Sequence, residues 1–253
     1  MNALRIVTLN LWNNDHFRFE RAALVVEEMA RLQPHLIALQ EVGVAEIMAT
    51  WIADRIQDAT SGGAYRTFTW NKKGDQRTFE ELAILTRLPL AGPSEAVDLE
   101  GGLRVAHRIT VQWQAAKVAF CSLHLHYPMD AGAVRAVQAC IASKWMERLD
   151  DCIPLMVGDF HDVPSSEAMT YLLDHWASAY AAHHGREPQR TWPTPVSAGT
   201  ERPQLAAVVD YVLFKPALLD VTSTLLYCNK AGEAVPSLYP SDHYGLVVDF
   251  ALR

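Results

Sequence analysis

Several short apolar segments of the chain end in a polar or titratable residue, and this pattern restricts the fold more than any other feature. The residues that end these segments are Asn10, Glu41, His124 and Asp159, and the pair Asp242-His243 stands directly before the last segment. Apolar runs of this length between turn residues are typical of buried β-strands. Side chains at strand ends are held by a rigid scaffold and still reach solvent. The pattern therefore predicts a polar site at one end of a β-rich fold.

The alternation of apolar segments with helical stripes and turn residues predicts an α/β protein. The predicted strands are Leu4–Leu9, His35–Gln40, Tyr65–Trp70, Leu82–Thr86, Arg104–Trp113, Lys117–His124, Pro154–Gly158, Val208–Phe214, Val221–Tyr227 and Tyr244–Ala251. The predicted helices are Phe17–Leu32, Val44–Ile56, Ala131–Leu149 and a helix that a serine at 165 or 166 caps and that runs to about His175. Gly185–Pro203 is predicted to be a loop. We find no linker or repeat, and therefore expect one domain over residues 1–253, with two packed, mainly antiparallel sheets and helices on their outer faces.

The charge of the chain argues against one class of partner. Asp and Glu number 29 against 22 Lys and Arg, which gives a formal net charge of −7. A protein that coats nucleic acid by bulk positive charge is therefore disfavoured, although a local basic groove is compatible with these numbers. The sequence shows no signal peptide, no apolar run as long as a membrane span and no CxxC pair. These features predict a cytoplasmic protein without stable membrane insertion.

Asp210 lies inside the apolar segment Val208–Phe214 and is hard to explain as a turn residue. A buried carboxylate needs a charged or hydrogen-bonded partner, and a protonated histidine is the economical one. Taken singly, the other polar residues have ordinary explanations, since aspartates and asparagines suit turns, a glutamate suits a helix cap, and histidines are often partly buried. Their coincidence at strand ends favours a functional site.

The residue types at these strand ends indicate hydrolysis at phosphorus. Carboxylate and amide oxygens without a cysteine cluster favour a hard cation such as Mg²⁺ or Mn²⁺. Such a cation neutralises phosphate charge and the charge that develops on the leaving oxygen. A histidine that an aspartate orients suits acid–base chemistry near neutral pH.

At these residues the sequence resembles the endonuclease/exonuclease/phosphatase superfamily, which has the deoxyribonuclease I-like fold. The matching segments occur in the family's order and are Thr8–Trp12, Leu39–Val42, Ala83–Arg87, Ser122–Leu125, Gly158–Phe160, Val209–Val212 and Ser241–His243. The resemblance implies a four-layered α/β sandwich. It also implies a divalent-metal-dependent phosphoester hydrolase, either a phosphodiesterase or a nuclease.

The resemblance also implies roles for individual residues. Glu41 would be the principal metal ligand, with Asn10 beside it and Asp242 completing or supporting the shell. His243 would be the catalytic histidine, paired with Asp210.

Two further residues would act on the phosphate and the water. His124 would lie near the scissile phosphate and pair with a glutamate, either Glu80 or Glu81. Asp159 would orient or deprotonate the attacking water.

His161 is the one departure from the family pattern, which has asparagine at this position. Residues two apart on an extended segment face the same side, so Asp159 and His161 should both point into the site. Three interpretations are open: a substituted phosphate contact, an extra metal ligand, and partial loss of activity. Imidazole can donate, accept or ligate depending on its tautomer.

The substrate is the least determined property, because the superfamily acts on DNA, RNA, phospholipids and small phosphoesters. Basic and aromatic residues collect in candidate rim loops and could grip phosphate or stack a base, although solvated loops are the ordinary explanation. These rim residues are Arg66, Trp70, Lys72, Lys73, Arg77, Arg186, Arg190 and Trp192, with Trp12 and His16 after the first strand. No loop is apolar enough for a membrane-inserting hairpin.

Several functions therefore stay open. A nucleic-acid repair nuclease is the first candidate, and a phospholipid or sphingomyelinase-like hydrolase or a small phosphoester phosphatase is the second. A noncatalytic binding module would predict loss of the catalytic residues, and a sugar or ester hydrolase would use paired carboxylates such as Glu41 and Asp159.

Overall fold

The computed structural model describes residues 3–197, 206–233 and 237–253. The strands are β1 (Leu4–Asn10), β2 (Leu36–Gly43), β3 (Arg66–Asn71), β4 (Glu80–Thr86), β5 (Glu95–Asp98), β6 (Val105–Trp113), β7 (Ala116–His124), β8 (Ile153–Asp159), β9 (Ala177–Ser178), β10 (Asp210–Phe214), β11 (Leu219–Tyr227) and β12 (Gly245–Leu252). The helices are α1 (Arg18–Leu32), α2 (Met48–Ala59), α3 (Gly132–Glu147), α4 (Glu167–His175) and α5 (Ala179–His184), and short 3₁₀ turns lie at Gly74–Thr78 and Pro195–Ser197.

The strands form two six-stranded sheets with the same pattern of neighbours. The first sheet has the order β11-β12-β1-β2-β4-β3 and the second the order β5-β6-β7-β8-β10-β9. Each sheet contains one parallel pair, β1 with β2 and β7 with β8, and its other pairs are antiparallel. The expected pair of mainly antiparallel sheets is confirmed.

Three apolar layers hold the sheets and helices together. Successive residues of a strand point to opposite faces, so Ile6 packs between the sheets while Val7 packs outward under α1 and α2. On the second sheet, Phe120 joins the layer between the sheets and Cys121 faces α3 and α4. The result is helix, sheet, sheet and helix in four layers, as the family resemblance implies. No described helix is long and apolar enough to cross a membrane.

The structure corrects some of the predicted boundaries. β5, β9 and α5 were not predicted, because each is short and lacks a clear apolar period. The second helix begins at Met48 rather than Val44, since Ile47 adopts a left-handed conformation that ends a preceding turn. Of the predicted loop Gly185–Pro203, positions 198–203 lie outside the described residues.

Candidate active site

The site lies where the two parallel strand pairs end side by side. Because parallel neighbours end at the same edge, β1 and β2 bring Asn10 close to Glu41, and β7 and β8 bring His124 close to Asp159. The sheets are tied together just beneath this edge, where Gln40 Nε2 donates a 3.0 Å hydrogen bond to Ser122 Oγ. The polar strand ends that the sequence singled out therefore meet in one place.

Asn10 joins the two halves of the site. Its side chain is fully buried, and its Nδ2 donates hydrogen bonds of 3.0 Å to Glu41 Oε1 and of 3.0 Å to Asp159 Oδ2. Its Oδ1 accepts a 2.9 Å hydrogen bond from the backbone N–H of Trp12. In this arrangement Asn10 is a hydrogen-bond donor to the carboxylates, and its role as a metal ligand stays a prediction.

Glu41 and Asp242 are the carboxylates that the sequence predicts to hold a cation. Among the described residues, Glu41 also lies close enough to Glu80 and His124 for the three to share one. Burial raises the pKa of Glu41, and the carboxylates of Glu80 and Asp242 raise it further. Burial also raises the pKa of Asp242, whose Oδ2 accepts a 3.1 Å hydrogen bond from Trp192 Nε1. Neighbouring cations oppose these shifts, His243 and Arg21 at Asp242 and Lys72 at Glu41, but burial prevails at both carboxylates. Carboxylate oxygens gathered in one buried place are the ligands that a hard divalent cation prefers, so this donor set fits such a cation.

His243 and Asp210 form the pair that the sequence predicts. His243 Nδ1 and Asp210 Oδ2 lie 2.9 Å apart, and both side chains are buried. Because a carboxylate is the acceptor, the proton lies on Nδ1. Burial alone would lower the pKa of His243, but Asp210, Asp242 and Asp159 outweigh it and raise the pKa well above its ordinary value. His243 is therefore held as a cation, with Nε2 directed towards Asp159 Oδ2 at 3.8 Å.

His124 lies in the opposite electrostatic setting. Its Nδ1 is 3.3 Å from Arg104 Nη1, and an arginine can only donate. The proton of the neutral ring is therefore on Nε2, which lies 2.9 Å from His161 Nε2. Burial lowers the pKa of His124 well below its ordinary value, and the cations Lys72 and Arg104 lower it further. His124 is thus a neutral hydrogen-bond donor.

The expected pairing of His124 with Glu80 does not form. Glu80 lies near His124, but its carboxylate is bonded to the buried ammonium of Lys72 and is 3.8 Å from Arg104. Lys72, a candidate rim residue in the sequence, is buried instead. The alternative partner, Glu81, has no described hydrogen bond to His124, whose ring bonds Arg104 and His161. The chain supplies cations where the resemblance implied a carboxylate partner.

His161 points into the site as predicted, but for a different reason. Its backbone is left-handed, with φ 51, rather than extended. Its N–H donates a 2.9 Å hydrogen bond to Asp159 Oδ1, and its Nε2 lies 3.3 Å from Asp159 Oδ2. Burial lowers the pKa of His161 to about 4, although Asp159 opposes the shift. The ring is therefore neutral, and its Nε2 accepts a hydrogen bond from the Nε2–H of His124.

Asp159 is the centre of the cluster. Burial would raise its pKa, but His161 and His243 outweigh burial, so the pKa of Asp159 is lowered. The preceding Gly158 has φ 136, and a Cβ there would lie 2.1 Å from the carbonyl oxygen of Leu123. Only glycine permits β8 to pass so close to β7, and this approach places the carboxylate under the three histidine rings.

Two residues that sequence reasoning missed organise the surroundings. Arg104 stands one position before β6 and bonds His124, as described above. Buried Arg21 donates hydrogen bonds to the backbone oxygens of Leu11, Trp12, Asn14 and His16, and it fixes the loop that follows Asn10. A single arginine in a helical stripe carries no sequence signal for such a role. Arg21 also places its guanidinium 4.7 Å from the Trp12 ring.

Some of the predicted substrate-binding and rim residues lie beside the catalytic cluster and others lie away from it. Trp12 borders a small cavity that Glu41 also lines. The exposed Arg190 donates a 3.3 Å hydrogen bond to the Tyr244 hydroxyl, and Trp192 has its ring centroid 6.5 Å from that of His243. Arg66 lies at the far end of β3, where it bonds the Leu88 carbonyl, and is wrong as a rim residue.

Comparison with known proteins identifies the class. The model of the Endonuclease/Exonuclease/phosphatase family matches residues 7–243, and the chain belongs to this family. A search of curated proteins finds no match.

Solved structures share the fold at low sequence identity. D. rerio TDP2 complexed with single strand DNA product is 17% identical with a TM-score of 0.81, covering 99% of this chain and 100% of that one. The human Nocturnin catalytic domain with bound sulfate anion is 20% identical with a TM-score of 0.78, covering 100% and 94%. A family protein from Bacteroides thetaiotaomicron is 14% identical with a TM-score of 0.77, covering 98% and 95%.

Proposed function

We propose that the chain is a divalent-metal-dependent phosphoester hydrolase, in which water attacks phosphorus in line with the leaving oxygen. The observation that carries the proposal is the convergence of three histidine rings on Asp159, beside the carboxylates that suit a cation. The Nε2 atoms of His161, His124 and His243 lie 3.3, 3.8 and 3.8 Å from Asp159 Oδ2. Such a constellation provides both proton donors and a group that positions water.

Each residue has a role that follows from its charge. Asp159 stays ionised because its pKa is lowered, so it orients the attacking water more than it takes up a proton. His243 is a cation and donates from Nε2 to the phosphoryl or leaving oxygen. His124 donates from Nε2 as a neutral ring, and His161 accepts that hydrogen bond when no substrate is bound.

A bound Mg²⁺ or Mn²⁺ would supply neutralisation of the phosphate charge and of the leaving oxygen. Glu41 and Asp242 would hold it, with Asn10 beside them. Trp12 and Arg190 are proposed to contact the substrate, since Trp12 lies beside Glu41 and Arg190 presents an exposed guanidinium.

Hydrolysis assays with substrates of several classes test the proposal. Single-stranded DNA comes first, because D. rerio TDP2, which shares the fold, was solved with a single strand DNA product. Abasic duplex, sphingomyelin and bis-p-nitrophenyl phosphate represent the other candidates. We expect hydrolysis of at least one of them in Mn²⁺ or Mg²⁺, and its loss with EDTA.

Two variants test the proposal at the site itself. Glu41→Gln and His243→Ala should each abolish hydrolysis, whereas Glu95→Gln, which alters an ion pair with Arg108 on the second sheet, should not. Activity that survives both substitutions would contradict the proposal. Activity that does not respond to EDTA but is lost in Glu41→Gln would instead favour a hydrolase that uses Glu41 and Asp159 as paired carboxylates.

A further inference from the structure

The loops around the cleft expose apolar side chains, one or two to a loop. Nine of the twelve exposed large apolar residues in the described ranges lie in or next to the loops at the edge of the sheets that carries the catalytic cluster. They are Phe17, Phe19, Ile47, Trp70, Phe79, Leu103, Tyr127, Met129 and Val163. The other three, Val137, Leu218 and Leu225, lie on α3, in the turn after β10 and on β11. Isolated exposed apolar residues are ordinary, but a set gathered around one cleft indicates an interaction surface.

Six of these residues, which we call the apolar rim, border both sides of the catalytic cluster. They are Phe17, Ile47, Phe79, Leu103, Tyr127 and Met129. On the first-sheet side, Phe79 O accepts a 3.0 Å hydrogen bond from Asn13 Nδ2, and the Asn13 N–H donates to Glu41 at 3.1 Å. On the second-sheet side, the Tyr127 ring centroid lies 6.5 Å from that of His161.

Three rim residues are held in an unfavourable backbone conformation. Phe17, Ile47 and Leu103 have φ values of 48, 50 and 58, in the left-handed region that glycine and asparagine accept more readily. Ile47 is β-branched, for which this conformation is a rare outlier, and 65% of it is exposed. Strained residues cluster at functional sites, although Phe17 and Ile47 also stand at the N-caps of α1 and α2.

The charges around the rim indicate what it contacts. Among the cations beside the rim, Arg18 is bonded to Asp15 and Glu46 and Lys73 to Asp98, whereas Arg77 is exposed and has no described ion pair. The whole chain carries a net charge of −7. Cations that are already paired give little attraction for a polyanion or an anionic lipid surface. Ile47, Leu103 and Met129 are aliphatic and cannot stack on bases, whereas they partition well into hydrocarbon.

We propose that the apolar rim adsorbs to a zwitterionic phospholipid surface and places the mouth of the cleft against it. A planar surface can touch both sides of the cleft at once. Adsorption by several separate side chains needs neither a membrane-spanning helix nor an inserting hairpin. Because the contact is divided among several loops, no single loop of the sequence needs to be apolar. The proposal concerns binding and is independent of the proposed hydrolysis.

Vesicle flotation tests the proposal without turnover. The full chain is mixed with phosphatidylcholine vesicles in EDTA, and the vesicle-bound fraction is compared with that of the triple variant Phe17→Asn, Ile47→Asn, Leu103→Asn. We expect the wild-type chain to float with the vesicles, and the vesicle-bound fraction of the variant to be at least about tenfold lower. Added phosphatidylserine should weaken wild-type binding. Because asparagine accepts the left-handed conformation, the variant should keep its melting temperature.

A matched control removes apolar residues elsewhere. The double variant Val137→Gln, Leu218→Asn should float as the wild type does. The proposal fails if the wild type does not float, or if the rim variant floats equally well. It also fails if size-exclusion chromatography shows a dimer that only the rim variant dissociates, or if the rim variant loses binding to a single-stranded oligonucleotide instead. Flotation without phosphoester hydrolysis would overturn the proposed function alone, and hydrolysis without flotation would overturn the rim alone.

Discussion

His243 and His124 are both histidines buried in one site, yet their pKa values are shifted in opposite directions. The Nδ1 of His243 faces Asp210, which only accepts, and the Nδ1 of His124 faces Arg104, which only donates. Burial lowers the pKa of both rings, but three carboxylates raise the pKa of His243 well above its ordinary value, whereas nearby cations lower that of His124 further. The comparison teaches that burial sets a site histidine neutral unless carboxylates around the ring overcome it.

The largest expected effect comes from removing the charge that makes His243 a cation. Asp210→Asn keeps a group of the same size beside Nδ1 but loses the negative charge, so the imidazolium is no longer stabilised. We expect turnover on a phosphodiester to fall by roughly 10³–10⁴, as for other orienting aspartates. Initial rates across pH measure the effect.

The control for this prediction is the same chemical change at a distant ion pair. Asp249→Asn removes the partner of Arg5, which lies on the first sheet away from the cleft. Its turnover should match that of the wild type. A drop of less than about tenfold in the Asp210 variant would mean that His243 does not need its carboxylate.

A smaller effect is expected when the donor to His124 is removed. Arg104→Met leaves Nδ1 of His124 without its hydrogen bond, so the ring can adopt the other tautomer and its Nε2–H is no longer fixed. We expect a fall in kcat of about 10- to 100-fold. Nitrogen-15 NMR of the histidine side chains should show the Nε2–H tautomer in the wild type and a mixture in the variant.

Arg108→Met is the matched control, since Arg108 is also a buried arginine paired with a glutamate but lies further along β6. It should leave the tautomer of His124 unaltered. If the wild-type spectrum shows the proton on Nδ1 of His124, the contrast between the two histidines is wrong.

A third buried histidine, His107, shows the effect of burial on the pKa without a charged partner. His107 has a neutral partner, Ser94 Oγ at 2.8 Å, and burial lowers its pKa to about 4. Between pH about 6.5 and 4 the unfolded chain binds a proton that the folded His107 refuses. The contribution of His107 to the free energy of unfolding is therefore largest above pH 6.5 and falls by about 1.4 kcal/mol per pH unit between pH about 6.5 and 4.

Urea unfolding at several pH values measures this slope. His107→Gln can still bond Ser94 and should make the slope shallower, whereas His183→Gln, at an exposed position on α5, should not. Equal slopes for the wild type and the His107 variant would show that His107 does not contribute to the acid sensitivity.

The same contrast shows what a sequence can and cannot specify. Asp159 could be located because an apolar strand leads directly to it, and His243 because it stands directly before the last apolar strand. Asp210 could be located because it interrupts an apolar segment. Arg104 and Lys72 could not, since only the turn between β3 and β4 and the β6–β7 register bring these cations to Glu80 and His124. The apolar rim was missed because its residues are spread over several loops, so that no single loop is apolar.

The smallest effect is expected at the residue that departs from the family pattern. His124, Asp159 and His161 lie close enough together to share a cation, but the proton that Arg104 directs to Nε2 of His124 makes a hydrogen bond to His161 the favoured contact. Asparagine is the residue that the family pattern has at this position and its amide can donate or accept a hydrogen bond, so turnover of His161→Asn should be preserved within about threefold, or raised. Calorimetry with Mn²⁺ should give the same stoichiometry for the wild type, this variant and the control His175→Asn on α4. A collapse of turnover together with the loss of a second bound Mn²⁺ would instead make His161 a ligand, and His124 would then have to carry its proton on Nδ1 against Arg104.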